Sequence, residues 1–330
     1  MECSATILQA SYAACRRVGR RARSNLYFGF PWFSGEQRQA MDALYAFARL
    51  TDDLADSDLP ADLRRRQLAA WRKATQEALT SGGGGSLTGR GGAFPREADE
   101  TMEAHGFPPS VAAAIVLPAL GDMVQRFSVP PQHLFALIDG AEMDLNRCRY
   151  ETLEELEGYC RCVASAIGLA CIHIWGYRSD RVFALAERCG IALQWTNILR
   201  DVKEDMARDR VYLPQRDLRK HQITETDLRG AADARFNRLM TELVERGHDY
   251  YREGVDVLRW LDPAGRRVCG LMIDRYWTLL NAIGRHPEVV LQRRVSLPRL
   301  VKVRLALRWL LRGRTATPRN AITESESTLG

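Results

Sequence analysis

The sequence predicts an all-α fold, and three observations lead to this prediction. Apolar residues recur at steps of three and four along several long segments, which is the period of an amphipathic helix. Runs that alternate polar and apolar residues, as half-buried strands do, are not convincing anywhere in the 330 residues. The composition, with 46% hydrophobic and 27% charged residues, is typical of a soluble globular chain.

Four segments carry the helical pattern most clearly. In the first, apolar side chains from Met41 to Leu54 follow the helical period. The second opens with Thr152, and Glu155 stands three residues later, as in a capping box. The predicted helices cover residues 36–56, 152–176, 184–207 and 266–283.

Three polar stretches separate or end the helices. Residues 81–94 are glycine-rich and predict a flexible loop, and they lack the GK[ST] ending of a phosphate loop. Pro130 and Pro131 predict the start of the next helix. Residues 315–330 lack apolar periodicity and predict a disordered tail. None of these stretches indicates a domain boundary, so we expect one helical domain over residues 1–314.

Charge and cysteine content limit the classes of function. Lys and Arg total 47 against 41 Asp and Glu, and the net charge of +6 fits acidic substrates or anionic membrane surfaces but is too diffuse to indicate nucleic acid. The eight cysteines show no zinc or redox spacing, which favours buried, reduced thiols. No signal peptide is visible, and the longest uncharged run, residues 162–177, is shorter than a membrane span. We therefore expect a cytoplasmic protein.

Three oxygen-bearing side chains lie on one stripe of the third predicted helix. Asn197, Asp201 and Asp205 recur every fourth residue, and apolar residues stand between them. An isolated buried carboxylate is costly, so such a stripe needs partners. Mg²⁺ prefers oxygen ligands and takes one or two carboxylates together with phosphate oxygens. The stripe predicts a site for a metal ion and a diphosphate, and a solvated helix face is the alternative.

A second acidic stripe ends the first predicted helix. Asp52 and Asp56 are four residues apart, so their carboxylates stack on one face, and Asp53 lies beside them. Taken alone, this pattern also fits a solvated helix end before Pro60. Two facing stripes would hold Mg²⁺ ions that bridge to a diphosphate, and this is the interpretation we favour when both are considered.

Arginines and aromatic residues accompany both stripes. Arg49 precedes Asp52 by three residues and Arg200 adjoins Asp201, and guanidinium groups suit phosphate oxygens. Aromatic faces stabilise a carbocation of the kind that an isoprenoid chain forms. Each aromatic side chain is also compatible with ordinary core packing. The candidate substrate-binding aromatics are Phe30, Tyr45, Tyr159 and Tyr212.

These motifs resemble those of a known family. YAFARLTDDLAD (45–56) and QWTNILRDVKEDMARDRVYLP (194–214) are similar to the paired aspartate signatures of the squalene/phytoene synthases, which join two prenyl diphosphates head to head. The resemblance covers nearly the whole chain. The segment HPEVVLQRRVSLPRLVKVRLALRW (286–309) looks most like bacterial enzymes of hopanoid biosynthesis that make presqualene diphosphate. It implies an all-helical isoprenoid synthase fold around a central cavity.

The resemblance also implies the metal ligands. Asp52 and Asp56 match the first metal-binding motif of the family, and Asn197, Asp201 and Asp205 match the second. The implied cofactor is Mg²⁺, with Mn²⁺ as a substitute. NADPH is not expected if the reaction stops at presqualene diphosphate.

Other residues match the substrate pocket. Tyr159 matches a tyrosine near the cyclopropyl intermediate, and Arg294 matches a C-terminal arginine that reaches a diphosphate. Two departures, Leu26 in place of a Phe and Ser165 in place of a Gly, would change one pocket wall and narrow or polarise the cavity. The positions that match the diphosphate pocket are Tyr45, Arg49, Gln194, Arg200 and Tyr212.

The implied reaction condenses two farnesyl diphosphates to presqualene diphosphate and releases diphosphate. The open alternatives are a phytoene or dehydrosqualene synthase with the same site, and a non-catalytic isoprenoid-binding member, which would have lost aspartates from one stripe. The base is Tyr45, Tyr159 or the released diphosphate. The implied partners are farnesyl diphosphate and downstream enzymes of squalene or hopanoid synthesis, and no nucleic acid.

The last apolar segment, VKVRLALRWLLRGR (301–314), carries five basic residues and no acidic ones. It predicts either a helix lying on the inner membrane face or a terminal helix packed on the domain. On a helix, one face comprises Arg304, Arg308 and Arg312, and another comprises Leu307, Leu310 and Leu311.

Overall fold

The computed structural model describes residues 2–21, 32–80 and 109–312. Within these ranges the chain is built from helices, and the β-type pairings are two isolated bridges, Arg149 with Val211 and Tyr177 with Leu261. The predicted all-α fold is confirmed.

The chain forms two compact units, residues 1–146 and 147–330. The described part of the first unit contains five α-helices. They are α1 (Glu2–Arg21), α2 (Gly35–Asp56), α3 (Ala61–Thr80), α4 (Pro109–Arg126) and α5 (Pro131–Asn146).

The second unit contains eight α-helices among its described residues. They are α6 (Leu153–Cys160), α7 (Ala166–Trp175), α8 (Arg181–Arg200), α9 (Val202–Ala207), α10 (Gln215–Lys220), α11 (Ala234–Gly254), α12 (Pro263–Arg285) and α13 (Arg299–Arg312). A π-helical turn, Arg161–Ser165, joins α6 to α7, and short 3₁₀ helices cover Asp227–Arg229, Val255–Arg259 and Pro287–Leu291.

Helix α2 is the central element of the first unit and packs against α1, α3, α4 and α5. It begins with a capping box, in which Ser34 Oγ accepts from the Gln37 amide and the Gln37 side chain accepts from the Ser34 amide. Phe47 stacks on Trp71 of α3 with ring centroids 5.4 Å apart. Trp71 Nε1 donates to Thr51 Oγ1 at 2.9 Å. These buried contacts fix the rotation of α2, so its last turn presents the aspartates outward.

Helix α8 has the same central role in the second unit, where it packs against α7, α11 and α12. Trp195 is buried and its Nε1 donates to the carbonyl of Leu243 on α11 at 2.8 Å. Gly247 of α11 lets the helices approach closely, because a Cβ there would lie 3.0 Å from the Trp195 ring. The close packing against α11 determines which side of α8 stays open for the polar stripe.

The prediction of one continuous helix over 184–207 was wrong. The helix is interrupted at Asp201, whose φ of −101° and ψ of 15° leave the α-helical region between α8 and α9. The interruption is local, since the Asp201 amide still donates to the Asn197 carbonyl and the Asp205 amide to the Asp201 carbonyl, both at 2.9 Å. The fourth-residue spacing of the stripe is therefore retained across the break.

The helix predicted over 152–176 is present but not regular. Thr152 accepts from the Glu155 amide as predicted, and the π-helical turn interrupts the α-helix at 161–165. Among the described residues, one segment, Leu153–Trp175, is long and apolar enough to cross a membrane by length and composition, and half of its apolar window is buried in the protein. A core helix of a soluble protein meets the same criterion.

The remaining predictions of local structure have mixed outcomes. The helices predicted over 36–56 and 266–283 are confirmed as α2 and α12, and α5 begins at Pro131 as expected. The seven described cysteines form no disulfide, and five of them are buried. The loop of 81–94 and the tail of 315–330 lie outside the described residues. The single domain over 1–314 stays a prediction.

Candidate active site

The first acidic motif lies at the C-terminal end of α2. Asp52 and Asp56 are exposed on successive turns, and Asp53 is half-buried beside them. A helix C-terminus carries partial negative charge, so three carboxylates in this position repel both one another and the helix dipole. The arrangement favours any cation that the motif can bind.

Arg49, one turn before this motif on α2, pairs with Asp53. Its Nη2 lies 2.6 Å from Asp53 Oδ1 and its Nε donates to Asp53 Oδ2 at 3.1 Å. The guanidinium of Arg49 therefore pairs with the carboxylate of Asp53 and not with that of Asp52, although Asp52 is only three residues away in sequence. Since Arg49 and Asp53 are 50% and 36% exposed, solvent screens the pair and it adds little stability.

The pKa of Asp52 is raised to about 7. Loss of hydration to the surrounding protein is the first cause, followed by the negative charge of Asp56, while Arg49 opposes the shift. Asp144 of α5 and Asp53 add to the repulsion. The Asp52 side chain is nevertheless accessible to water, which screens these charges.

Asp144 was not singled out from the sequence. It follows an ordinary amphipathic pattern in α5, and only the packing of α5 on α2 brings its charge close to Asp52. Tyr45, half-buried on α2, precedes Arg49 by one turn. Phe30 and Leu26 lie outside the described residues.

The second acidic motif spans the end of α8 and the whole of α9. Asn197 is in the last turn of α8, Asp201 lies at the break and Asp205 is on α9. Asn197 Nδ2 donates to Gln194 Oε1 at 3.2 Å, which orients the amide. Asn197 Oδ1 is buried and accepts no hydrogen bond from any described residue. A buried oxygen without a donor is costly unless a cation or a ligand binds it.

Two arginines hold Asp201, one adjacent to it in sequence and the other 93 residues away. Arg200 Nε donates to Asp201 Oδ1 at 2.7 Å, and Arg200 Nη2 also bonds Oδ2. Arg294 Nε donates to Oδ1 at 2.8 Å and Arg294 Nη2 to Oδ2 at 3.3 Å. Lys203 of α9 donates to the Gln292 carbonyl, which ties the segment that carries Arg294 to the motif. The structure thus places Arg294 at the second motif, and its expected contact with a diphosphate stays a prediction.

Three tyrosines form an aromatic cluster beside this motif. Tyr159 and Tyr212 stack with centroids 5.2 Å apart, and their hydroxyl oxygens lie 3.4 Å apart. Tyr150, which the sequence did not single out, lies 5.4 Å from the Tyr159 ring and 6.0 Å from the Tyr212 ring. Asp205 and Tyr212 line the same small recess of the second unit, so the motif adjoins the aromatic faces.

The hydroxyl of Ser165 does not face a cavity. Its Oγ donates to the Glu187 carbonyl at 2.8 Å, and its backbone lies against Gly190, where a Cβ would lie 2.5 Å from Ser165 Cα. The serine thus joins the π-helical turn to α8. The expectation that its hydroxyl would polarise the pocket is not met, because the hydroxyl bonds the backbone of α8.

The donor atoms fit Mg²⁺ in kind, and they do not form a complete cage. Among the described residues, no group of three His, Cys, Asp or Glu side chains converges as a metal site. Mg²⁺ does not require one, because it usually takes one or two carboxylates and fills its shell with phosphate oxygens and water. The carboxylate of Asp52, which other carboxylates surround, offers oxygens of the required type. So does Asn197 Oδ1, which accepts no hydrogen bond from a described residue.

The family model for squalene/phytoene synthases matches residues 19–301. The chain belongs to the squalene/phytoene synthase family. This membership covers most of the chain and includes both acidic motifs. Members of the family are prenyltransferases that join prenyl diphosphates head to head, and the predicted family is confirmed.

Relatives at the sequence level include phytoene synthases. The chain is 32% identical over 317 residues to a phytoene synthase of Mycobacterium tuberculosis, covering 95% of both proteins. It is 29% identical to a 15-cis-phytoene synthase of Synechococcus elongatus, covering 88% of this chain and 89% of that protein.

Similar solved structures confirm the isoprenoid synthase fold. A squalene synthase from Alicyclobacillus acidocaldarius has a TM-score of 0.70 at 23% identity and covers 87% of this chain and 97% of its own. A dehydrosqualene synthase has a TM-score of 0.74 at 23% identity, covering 94% and 98%. At this identity the similarity is evidence for the fold and leaves the product undecided.

Proposed function

We propose that this protein is a Mg²⁺-dependent synthase that condenses two farnesyl diphosphates to presqualene diphosphate, with release of one diphosphate. Membership of the family supports the reaction class. The observation that carries the proposal is the second motif, in which a buried amide oxygen of Asn197 lacks a donor beside a carboxylate held by two arginines. The similarity of residues 286–309 to presqualene diphosphate synthases supports this product.

Metal ions would bind at each of the two acidic motifs separately. Asp52 and Asp56 would hold one in the first, and Asn197, Asp201 and Asp205 one in the second. Bound there, Mg²⁺ or Mn²⁺ supplies Lewis-acid stabilisation of the negative charge on a leaving diphosphate. The four-residue spacing places the side-chain oxygens of each motif on successive turns.

The arginines are the groups that bind diphosphate oxygens directly. Each guanidinium has five N–H donors, and Arg200 and Arg294 use two nitrogens each on Asp201. Arg200 is also hydrogen-bonded to Tyr276. The donors that these contacts leave over would bind a diphosphate while the carboxylate keeps both forks in place. Arg49 is restrained in the same way by Asp53. The positive charge stabilises the diphosphate as its ester bond to C1 of the substrate breaks.

The aromatic cluster serves the other product of that cleavage, an allylic cation. The stacked faces of Tyr159 and Tyr212 are buried, so they exclude water that would quench the cation and they stabilise its charge. The 2,3 double bond of the second substrate attacks the cationic C1. Loss of a proton then closes the cyclopropane ring. Tyr45, Tyr159 and the released diphosphate are the candidate bases.

Phytoene synthesis is the second candidate function. It is favoured by the 32% identity to a phytoene synthase over 95% of both chains. A phytoene synthase would use the same motifs with C20 substrates and would carry the cyclopropyl intermediate further. Dehydrosqualene synthesis is the corresponding alternative with C15 substrates. We place the enzyme in the cytoplasm, upstream of enzymes that consume squalene or hopanoid precursors, and we expect no need for NADPH.

Product analysis tests the proposal. Purified protein is incubated with Mg²⁺ and either farnesyl or geranylgeranyl diphosphate, without NADPH, and products are identified by mass spectrometry after phosphatase treatment. Presqualene alcohol from the C15 substrate is the expected result. Phytoene from the C20 substrate would favour the second candidate, and dehydrosqualene would extend the C15 reaction by one step. A folded protein that converts neither substrate would favour a non-catalytic isoprenoid-binding role.

A further inference from the structure

Helix α13 exposes an unusual amount of apolar surface. Leu300 and Leu311 are 84% and 81% exposed, and three further apolar residues of the helix are about half exposed. Five of the eight exposed large hydrophobic residues in the described part of the chain lie on this one helix. They are Leu300, Val303, Leu307, Leu310 and Leu311.

These five side chains share one face, which we call the outward face of α13. At about 100° per residue they fall within an arc of roughly 100°. Arg299 and Arg304, both exposed, flank this arc on its two sides. The basic face expected from the sequence was therefore only partly correct: Arg304 points to solvent, whereas Arg308 is 19% exposed and lies 3.7 Å from the buried Asp274.

The opposite side of α13 is firmly attached to α12. Trp309 is buried, and its Nε1 donates to Asp274 Oδ2 at 2.6 Å. The indole ring fits over Gly270, where a Cβ would lie 2.1 Å from the ring. Leu305 is buried one turn earlier. Because these contacts fix the rotation of the helix, the outward face cannot turn its leucines inward without losing them.

Positive charge surrounds the outward face without compensating carboxylates. Helix α13 contains no acidic residue. Burial and the nearby charges of Arg275 and Arg299 lower the pKa of Lys302. Within the described residues, no carboxylate lies within 4 Å of Arg275, Arg299, Lys302 or Arg304 as an ion-pair partner. A cluster of like charges with an apolar face favours an anionic, apolar surface as its partner.

We propose that the outward face of α13 docks the protein on an anionic lipid bilayer. Apolar side chains flanked by arginines on a helix with no acidic residue are typical of helices that lie in a membrane interface. The leucines would enter the boundary of the acyl chains, while Arg299, Arg304 and the neighbouring cations would bind anionic headgroups. The following residues, 313–330, include only Ile322 and Leu329 as large aliphatic residues, so their composition is poorly suited to covering the face.

Vesicle binding tests the apolar part of this proposal without any measurement of catalysis. The full-length protein is co-sedimented with phosphatidylcholine vesicles that contain about one-third phosphatidylglycerol. The variant Leu307→Ser/Leu311→Ser is expected to bind about tenfold more weakly. The matched control Ile7→Ser/Leu63→Ser replaces two exposed apolar residues elsewhere and is expected to bind like the unmodified protein. Thermal unfolding of each variant establishes that the fold is intact.

A charge-reversal pair tests the preference for anionic lipid. Arg299→Glu/Arg304→Glu is expected to lower binding to anionic vesicles by at least tenfold, while the control Arg238→Glu/Arg285→Glu, with the same change in net charge, has a much smaller effect. If both double variants lost vesicle binding equally, the effect would depend on net charge alone, and the proposal would be overturned. Failure of the unmodified protein to bind anionic vesicles would also overturn it. Self-association that the leucine variant abolishes, without vesicle binding, would instead assign the face to a second copy of the chain.

Discussion

The acidic motif of α2 and the motif of α8 and α9 use similar residues but balance their charge in opposite ways. Around Asp52, three further carboxylates raise its pKa, and Arg49 pairs with Asp53. Asp201, by contrast, accepts hydrogen bonds from both Arg200 and Arg294. The first motif has an excess of negative charge, and the second has cations already in place.

This difference indicates that the two motifs bind different groups. A site with excess carboxylate charge is stabilised mainly by a bound cation. A site whose carboxylate orients two arginines is suited to the diphosphate itself, since each guanidinium keeps unused donors. The second motif still offers a cation the buried oxygen of Asn197. The predictions below test this contrast, from the largest expected effect to the smallest.

Removing carboxylates is expected to abolish activity in both motifs but to change stability in opposite directions. Asp52→Asn/Asp56→Asn and Asp201→Asn should each lower kcat/KM by about 1,000-fold or more. In metal-free protein the first variant should be as stable as the parent or slightly more stable, because repulsion is relieved. Asp201→Asn should lose about 1–2 kcal/mol, because two arginines lose their carboxylate. Steady-state kinetics and thermal unfolding measure both effects.

The contrast fails if Asp201→Asn stabilises the metal-free protein, or if the double variant in α2 destabilises it. Asp209→Asn is a useful control, since Asp209 also accepts from an arginine, Arg149, but is exposed and is not one of the predicted metal ligands. It should change kcat/KM by less than about threefold.

Arginine-to-lysine changes in the second motif are expected to weaken diphosphate binding in order of burial. Arg200 is 11% exposed and Arg294 is 56% exposed. Lysine keeps the charge but loses the fork, so Arg200→Lys should lower kcat/KM by about 100-fold and Arg294→Lys by about tenfold. The affinity for inorganic diphosphate, measured by calorimetry, should fall in the same order.

Arg149→Lys is the matched control for these variants. Arg149 also forms a fork, to Glu225 and Asp209, and none of its hydrogen bonds goes to Asn197, Asp201 or Asp205. Its replacement should affect stability and leave diphosphate affinity unchanged. A similar loss of diphosphate affinity in Arg149→Lys would show that the arginine effects are structural.

The pH dependence of metal binding is expected to separate the motifs. The pKa of Asp52 is raised to about 7, so below that pH a proton competes with the ion. Mg²⁺ affinity should fall by up to about tenfold per pH unit below 7 in the parent protein. In the metal-free protein the sign is the reverse: because the folded state holds this proton more tightly, stability from this group decreases as pH rises from about 4 to 7.

Thermal unfolding in a Mg²⁺ titration at several pH values measures this dependence. Asp52→Asn should remove the part of the pH dependence that Asp52 causes, while Asp205→Asn should retain it. An unchanged pH profile in Asp52→Asn would mean that solvent screens Asp52 enough to keep it ionised throughout this range.

The smallest effect is expected at Gln194, which accepts from the Asn197 amide. Gln194→Leu removes that acceptor and frees the Asn197 side chain to turn, so Mg²⁺ affinity should fall about threefold to tenfold. Gln194→Glu keeps an oxygen acceptor and should lose less. Equal losses in both variants would show that Gln194 acts through its own contact with the substrate and not by orienting Asn197.

Much of the site was predictable because its spacing is local. Both acidic motifs have a four-residue period, which places their side chains on one face of a helix. The first comprises Asp52 and Asp56, and the second comprises Asn197, Asp201 and Asp205. That period survived even the wrong prediction of a continuous helix, since the backbone bonds across Asp201 keep the helical spacing. The helix break itself has no comparable signal, because no proline or glycine stands at that position.

By itself, the sequence determined most of the helices and the two acidic faces, because these depend on short-range periodicity. It also determined the family, because contiguous motifs identify it. Tertiary structure alone decided which charges meet. It placed Arg294 on Asp201 across 93 residues, brought Asp144 near Asp52 and stacked Tyr150 on Tyr212. It also anchored α13 through Trp309 so that its leucines face outward. These contacts depend on how the helices pack. Packing brings together residues that are far apart in the chain, and no regular spacing in the sequence indicates which of them will meet.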